Sequence, residues 1–154
     1  VLDTTINRFN HWRGQKISVH VDHYDAWNAD YTLALVILPV LEELRDGNTQ
    51  SYGLIDPVDV PTDLKPTMQQ LKEYQEEGVL DTKAKARWDY ALNEMIFAFE
   101  SIVDDSWEDQ FFSWDFDSQE DLFHHFDKDG FNKYNERINN GLKLFGKYYR
   151  TLWD

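Results

Sequence analysis

Residues 88–105 read WDYALNEMIFAFESIVDD, and the way this stretch winds decides the fold. At about 100° per residue, Trp88, Leu92, Met95, Ala98, Phe99, Ile102 and Val103 fall on one broad arc. Asp89, Asn93, Glu100 and Asp104 form a polar stripe opposite, with Glu94, Ser101 and Asp105 in a second stripe beside it. That is an amphipathic helix with its arc toward a core. Tyr90 and Phe97 break the pattern, since they lie between the two polar stripes. Either another element covers these aromatics, or they form a binding surface with Glu94, Glu100, Asp104 and Asp105.

Toward the N-terminus, Asp81 is placed to cap this helix through Thr82 and Lys83. Residues 67–77 read as a short helix of weak periodicity, closed by Gly78. Residues 46–66 hold Pro57, Pro61 and Pro66 and read as an extended connection lying along the body. Before it, Asp30 to Arg45 is apolar nearly all round, with Leu33, Val36, Ile37, Val40 and Leu44 as its main face. This pattern predicts a central buried helix, kinked at Pro39 and ended by a left-handed Gly47. Over residues 4–22 the strict alternation of Ile17, Val19 and Val21 with polar residues predicts a β-hairpin turning near Gly14.

Toward the C-terminus, Trp107, Phe111, Phe112, Trp114, Phe116, Phe123 and Phe126 alternate with acids, so residues 106–127 form an ordered, packed excursion. A last helix runs over about 130–152, capped by Asp127 or Asp129. Its apolar stripe is Phe131, Tyr134, Ile138, Leu142, Phe145, Tyr149, Leu152 and Trp153, with Gly141 at the edge, where close helix contact is possible. The fold expected is α+β in a single domain over 1–154: an N-terminal β-hairpin packed on three or more helices, including the long amphipathic helix and the C-terminal one.

Charge narrows the function. The net charge is −14, and residues 94–129 hold twelve acids against Lys128 alone, a segment charge of −11. Duplex nucleic acid needs the opposite sign, so no direct binding to it is expected. An acidic face suits a basic protein, a divalent cation, or solubility. Residues 130–154 carry +3, and pairing between this helix and the acidic segment follows. No cysteine occurs, which excludes disulfides and thiolate metal sites. The longest apolar run, Leu33–Leu41, is too short to span a membrane.

No catalytic residue is assigned, because no nucleophile motif and no phosphate loop occur. No cofactor is expected, although a divalent cation is possible: Glu100 and Asp104 are four residues apart on one helix face and are the candidate metal ligands. A helical metal site also needs acids on a partner helix, and the clear candidate is Glu73-x-x-Glu76. His125-x-Asp127-x-Asp129-Gly130-x5-Glu136 matches parts of a calcium loop, and a helix N-cap explains the same residues. His20, Asp22 and His23 lie close enough in sequence to touch a metal.

Four blocks resemble an uncharacterised protein family of tailed bacteriophages, including phages of marine cyanobacteria. They are DAWNADYTLALVILPVL at 25–41, RWDYALNEMIFAFE at 87–100, WEDQF at 107–111 and RINNGLKLFGKYYRTLWD at 137–154. The resemblance implies a soluble protein made in an infected bacterium, and it carries no activity to any residue. The function expected is a non-catalytic accessory protein in the host cytoplasm, binding a host protein or a small signalling ligand. The alternatives are a divalent-metal hydrolase using the helix carboxylates and a structural, virion-associated protein. A homo-oligomer is possible.

Overall fold

The computed structural model describes residues 20–47, 52–113 and 126–152. Four helices dominate: α1 (Ala29–Asp46), α2 (Met68–Glu77), α3 (Ala84–Val103) and α4 (Lys128–Tyr148). Short 3-10 turns occur at Pro57–Asp59, Thr62–Leu64, Asp109–Phe111 and Tyr149–Thr151. Among the described residues no sheet forms, and extended pairing is limited to isolated bridges such as Phe112 with Phe126. The architecture is therefore mainly helical, and the α+β expectation is corrected. The expected hairpin over 4–22 falls almost wholly outside the described residues. Of its end, Asp22 accepts hydrogen bonds from the Tyr24 and Asp25 amides at 2.7 and 3.2 Å, which closes a turn leading toward α1.

α3 is the organising element, packed against α1 and against α4. Its expected arc is the core: Trp88, Leu92, Met95, Ala98 and Phe99 are all buried. Each large side chain so buried contributes about 1.5–3 kcal/mol of hydrophobic stabilisation. Asp81 shapes the start of α3 without serving as its N-cap residue, which is Lys83. The Asp81 carboxylate accepts from the Lys83 amide at 2.8 Å and its carbonyl from the Ala84 amide at 3.1 Å.

α1 is not the central buried helix. Only Ala34 and Leu41 are buried along it, with Ile37, Leu38 and Leu44 packed beside them, while Leu33, Val36 and Val40 stay exposed. A helix that is apolar all round has no pattern to orient it, and the small Ala34 selects the side that approaches α3. The helix continues through Pro39. Gly47 follows in extended backbone at φ −62°, not in the left-handed form. The left-handed glycine is Gly78, at φ 69°, and it closes α2 as expected. At the other end of α2, the Thr67 hydroxyl and the Gln70 side chain cap reciprocally.

On α4 the Asp127 carboxylate accepts from the Gly130 amide at 2.9 Å, the expected cap. The buried face is Ile138, Gly141, Leu144 and Tyr148, rotated from the expected stripe, so Leu142 and Tyr149 are exposed. Gly141 lies on this buried face, where α4 meets α3. A Cβ there would lie 2.7 Å from Ala98 Cβ and would overlap the Glu94 backbone carbonyl, so the two helix backbones touch. Beyond α3, Trp107 stacks on Phe131 and Tyr134 at 5.6 and 5.0 Å, and Phe111 meets Phe131 edge-on. The expected aromatic excursion is packed at its two ends, and its middle, 114–125, lies outside the described residues.

Candidate functional site

The aromatics that broke the helical pattern are covered by α4. Phe97 packs on Tyr134 at 4.9 Å, and the Arg137 guanidinium lies 3.7 Å above the Phe97 ring. The same guanidinium meets the nearly buried Glu94 carboxylate at 2.9 Å. Tyr90 packs against the core, and burial, then the nearby Glu94 carboxylate, push its hydroxyl pKa up. Tyr90 and Phe97 are thus half-buried and Glu94 nearly buried beside α4. The expected pairing of the basic helix with the acidic segment is realised in Arg137–Glu94.

Of the carboxylates further along, Asp104 and Asp105 line one cavity of about 430 Å³ with Asp30 and Glu108, and Glu100 is not among its walls. Asp104 has left the helix as its C-cap, where the Ser106 hydroxyl and amide donate to it at 2.7 and 2.9 Å and lower its pKa. Glu100 and Asp105 are exposed. Among the described residues no group of three or more His, Asp or Glu side chains is placed to hold a metal ion. Glu73 and Glu76 lie on α2, which is not among the elements packed substantially on α3. The calcium-loop spacing is helix from Lys128 onward, with Asp127 as its cap, so no loop of that shape exists.

A second cleft, also of about 430 Å³ and with more apolar walls, opens where α2 stands away from the three-helix body. Leu54, Ile55, Pro57 and Pro66 from the connection, Leu71 and Tyr74 from α2, and Leu80 supply mainly apolar walls. The residues before the three prolines, Asp56, Val60 and Lys65, are extended, and Gly53 lets the connection press on the Trp88 ring, which a Cβ would approach to 2.5 Å. The polar groups are Asp56, Gln70, Asp81, Arg87, Lys147 and Tyr148.

Two networks hold these groups. Arg87 and Asp81, each with a side chain only 7% exposed, pair at 2.6 Å. Arg87 also donates to the Leu64 carbonyl at 3.2 Å, tying the connection to α3. The Arg87 hydrogen bonds, reinforced by the Lys83 amide, hold the Asp81 carboxyl below the usual range. At the second network the Tyr148 hydroxyl donates to Asp59 at 2.6 Å and accepts from the Asp56 amide at 2.9 Å. Lys147 also donates to Asp59 and lies 3.7 Å from Asp56. Burial pushes the Asp59 carboxyl up, but Lys147 and Tyr148 outweigh it and leave its pKa lowered. Burial, then the Asp59 bond, raise the Tyr148 hydroxyl pKa.

Sequence reasoning missed this cleft, because its walls come from the extended connection and the least periodic helix. The usable signal was Arg87, a cation directly beside the core residue Trp88 and six residues after Asp81. No helix among the described residues is long and apolar enough to cross a membrane. In comparisons with known proteins, no family model, no curated protein and no solved structure matches the chain.

Proposed function

We propose that the protein is a non-catalytic binding protein whose ligand site is the cleft between α2, the proline-bearing connection and the ends of α3 and α4. The observation that carries this reading is the combination of apolar walls with one set of fixed polar groups, in a volume suited to small molecules. The resemblance to a tailed-phage family supports placing it in the cytoplasm of an infected bacterium, where the occupant is a small ligand or a side chain of a host protein. Methyl NMR of Leu54, Leu71 and Leu80 during a screen of small molecules tests the site. Titration of these methyls by a ligand supports it, and a screen that moves no cleft methyl refutes it. Retention of a host protein at low and high salt distinguishes a protein occupant.

One observation favours the structural alternative: Leu33, Val36 and Val40 leave an apolar stripe on α1. Mass measurement in solution and proteomics of purified virions test that alternative. For the metal hydrolase, Glu94 is paired with Arg137 and Asp104 accepts from Ser106, while Glu100 is exposed, and metal analysis of the purified protein tests that alternative.

A further inference from the structure

One side-chain acceptor in the cleft wall keeps room for a partner. Asp81 is filled: it takes bonds from Arg87 at 2.6 and 3.1 Å and from the Lys83 amide at 2.8 Å, and its side chain is only 7% exposed. Gln70 gives its side-chain oxygen to the Thr67 amide at 2.8 Å, and the Tyr148 hydroxyl takes the Asp56 amide at 2.9 Å. Asp56 differs. Its Oδ1 accepts from the Val58 amide at 3.0 Å, while its Oδ2 stands 3.7 Å from Lys147 Nζ, beyond hydrogen-bond reach. Its side chain is 49% exposed and lines the cleft, so a ligand can meet it there.

Charge restricts what that ligand is. Lys147 donates to Asp59, and Lys143 also acts on Asp59, so the lysines of α4 converge on that carboxylate and leave Asp56 without a hydrogen-bonded cation. A carboxylate gains most from a donor that carries positive charge. An anion would face Asp56 directly, in a chain whose net charge of −14 repels it from a distance as well. Leu54 and Pro57 flank Asp56 in the wall, with Leu71 and Leu80 also lining the cleft, and these surfaces call for a hydrocarbon body on the cation.

We propose that the cleft takes a small amine, with an apolar body against Leu54, Leu71 and Leu80 and an ammonium group that donates to the Asp56 carboxylate. This inference rests on the cleft being the ligand site, and the test separates the two. The probes are cyclopentylmethylamine, cyclopentylmethanol and cyclopentanecarboxylate, titrated into the full chain and followed by the leucine methyls of the cleft. A lysine side chain of a host protein offers the same chemistry, so Nα-acetyl-lysine methylamide is a fourth probe.

The amine should bind about fivefold tighter than the alcohol, the scale of one half-exposed ion pair, and the carboxylate should bind weakest. Asp56→Asn keeps an oxygen for the Val58 amide and removes the charge. It should bring the amine to the affinity of the alcohol and leave the alcohol unchanged. If Asp56→Asn does not fold, high salt on the wild type decides, since it screens the pair and should likewise erase the advantage of the amine. An amine no tighter than the alcohol, or a carboxylate as tight as the amine, would overturn this inference and leave the cleft reading standing. An advantage that survives Asp56→Asn would overturn Asp56 as the partner. Tighter binding of the lysine derivative than of the cyclic amine would overturn the small molecule as the source. Silent methyls with every probe would remove both readings.

Discussion

Gly141→Ala and Gly146→Ala are the same chemical change on the same helix, and the structure gives them opposite signs. In an open helical position, alanine is favoured over glycine by about 1 kcal/mol, because glycine loses more backbone freedom on folding. Gly146 meets this condition, since a Cβ there finds nothing within 4 Å. Gly146→Ala should therefore stabilise the protein by about 0.5–1 kcal/mol. At Gly141 the new methyl would overlap the Glu94 carbonyl and sit 2.7 Å from Ala98 Cβ. Backbone cannot rotate away as a flexible side chain can, so α4 must retreat from α3 as a body. Overpacking costs about 1–3 kcal/mol, and overlap with rigid backbone puts this position in the upper part of that range, about 2–3 kcal/mol against a propensity gain of about 1. The net loss should be about 1–2 kcal/mol, or a Tm lower by roughly 2–8 °C. Urea unfolding followed by tryptophan fluorescence measures both variants. Equal or greater stability of Gly141→Ala would refute the direct backbone contact between the two helices. A destabilised Gly146→Ala would refute the open placement of that position.

Arg87→Met strands Asp81 in a buried site and should cost about 3–5 kcal/mol, whereas changing both partners to apolar residues should cost clearly less; chemical denaturation of the single and double variants checks this. Asp81 and Asp59 both have lowered pKa values, so their stability is present above the ordinary carboxylate range near 4 and is lost as pH falls through the depressed values. Thermal melts from pH 7 downward should show that loss, and it should be smaller in Asp81→Asn relative to that variant's own value at pH 7. Tyr148→Phe removes the Asp59 bond and the acceptor of the Asp56 amide, and should cost about 1–3 kcal/mol; hydrogen exchange at residues 54–59 should accelerate with it. Addition of Mg²⁺, Mn²⁺ or Ca²⁺ should leave the melting temperatures of wild type and of Glu100→Ala each unchanged, and a rise in wild type that is lost in Glu100→Ala would restore the metal site at Glu100 and Asp104.

The helices were legible where side-chain periodicity had a partner to act on. α3 alternates large apolar residues with acids, so its core arc followed from spacing alone. Tyr90 and Phe97 had no local explanation, because what covers them is Tyr134, Arg137 and the rest of α4, some forty residues away in sequence. Gly141 was read correctly as a point of close approach, yet the rotation of α4 that buries it was not, since hydrophobic spacing gives glycine no weight. α1 failed for the opposite reason: with apolar residues on every side, nothing local says which two of them, Ala34 and Leu41, face the core. The cleft was illegible because its walls carry no period, and because Arg87 and Tyr148 are fixed by carboxylates and carbonyls from a connection with no regular structure. The acids of α3 looked like a site since spacing reports which residues share a face, and not that Glu94 is already engaged by Arg137 of another helix.

The last turn of α4 carries a consequence for motion. Tyr148 and Lys147 grip the connection at Asp56 and Asp59, so one wall of the cleft is fastened to a helix terminus. Tyr148 is also buried in the core that α3 builds, and α4 runs straight on into the Tyr149–Thr151 turn, so the fastening is no free helix end. Segments that open at small free energy are those with few buried contacts. The amides of the wall near Asp56 and Asp59 should therefore exchange with the core and not with a fraying terminus, and the width of the cleft should hold until the core itself opens.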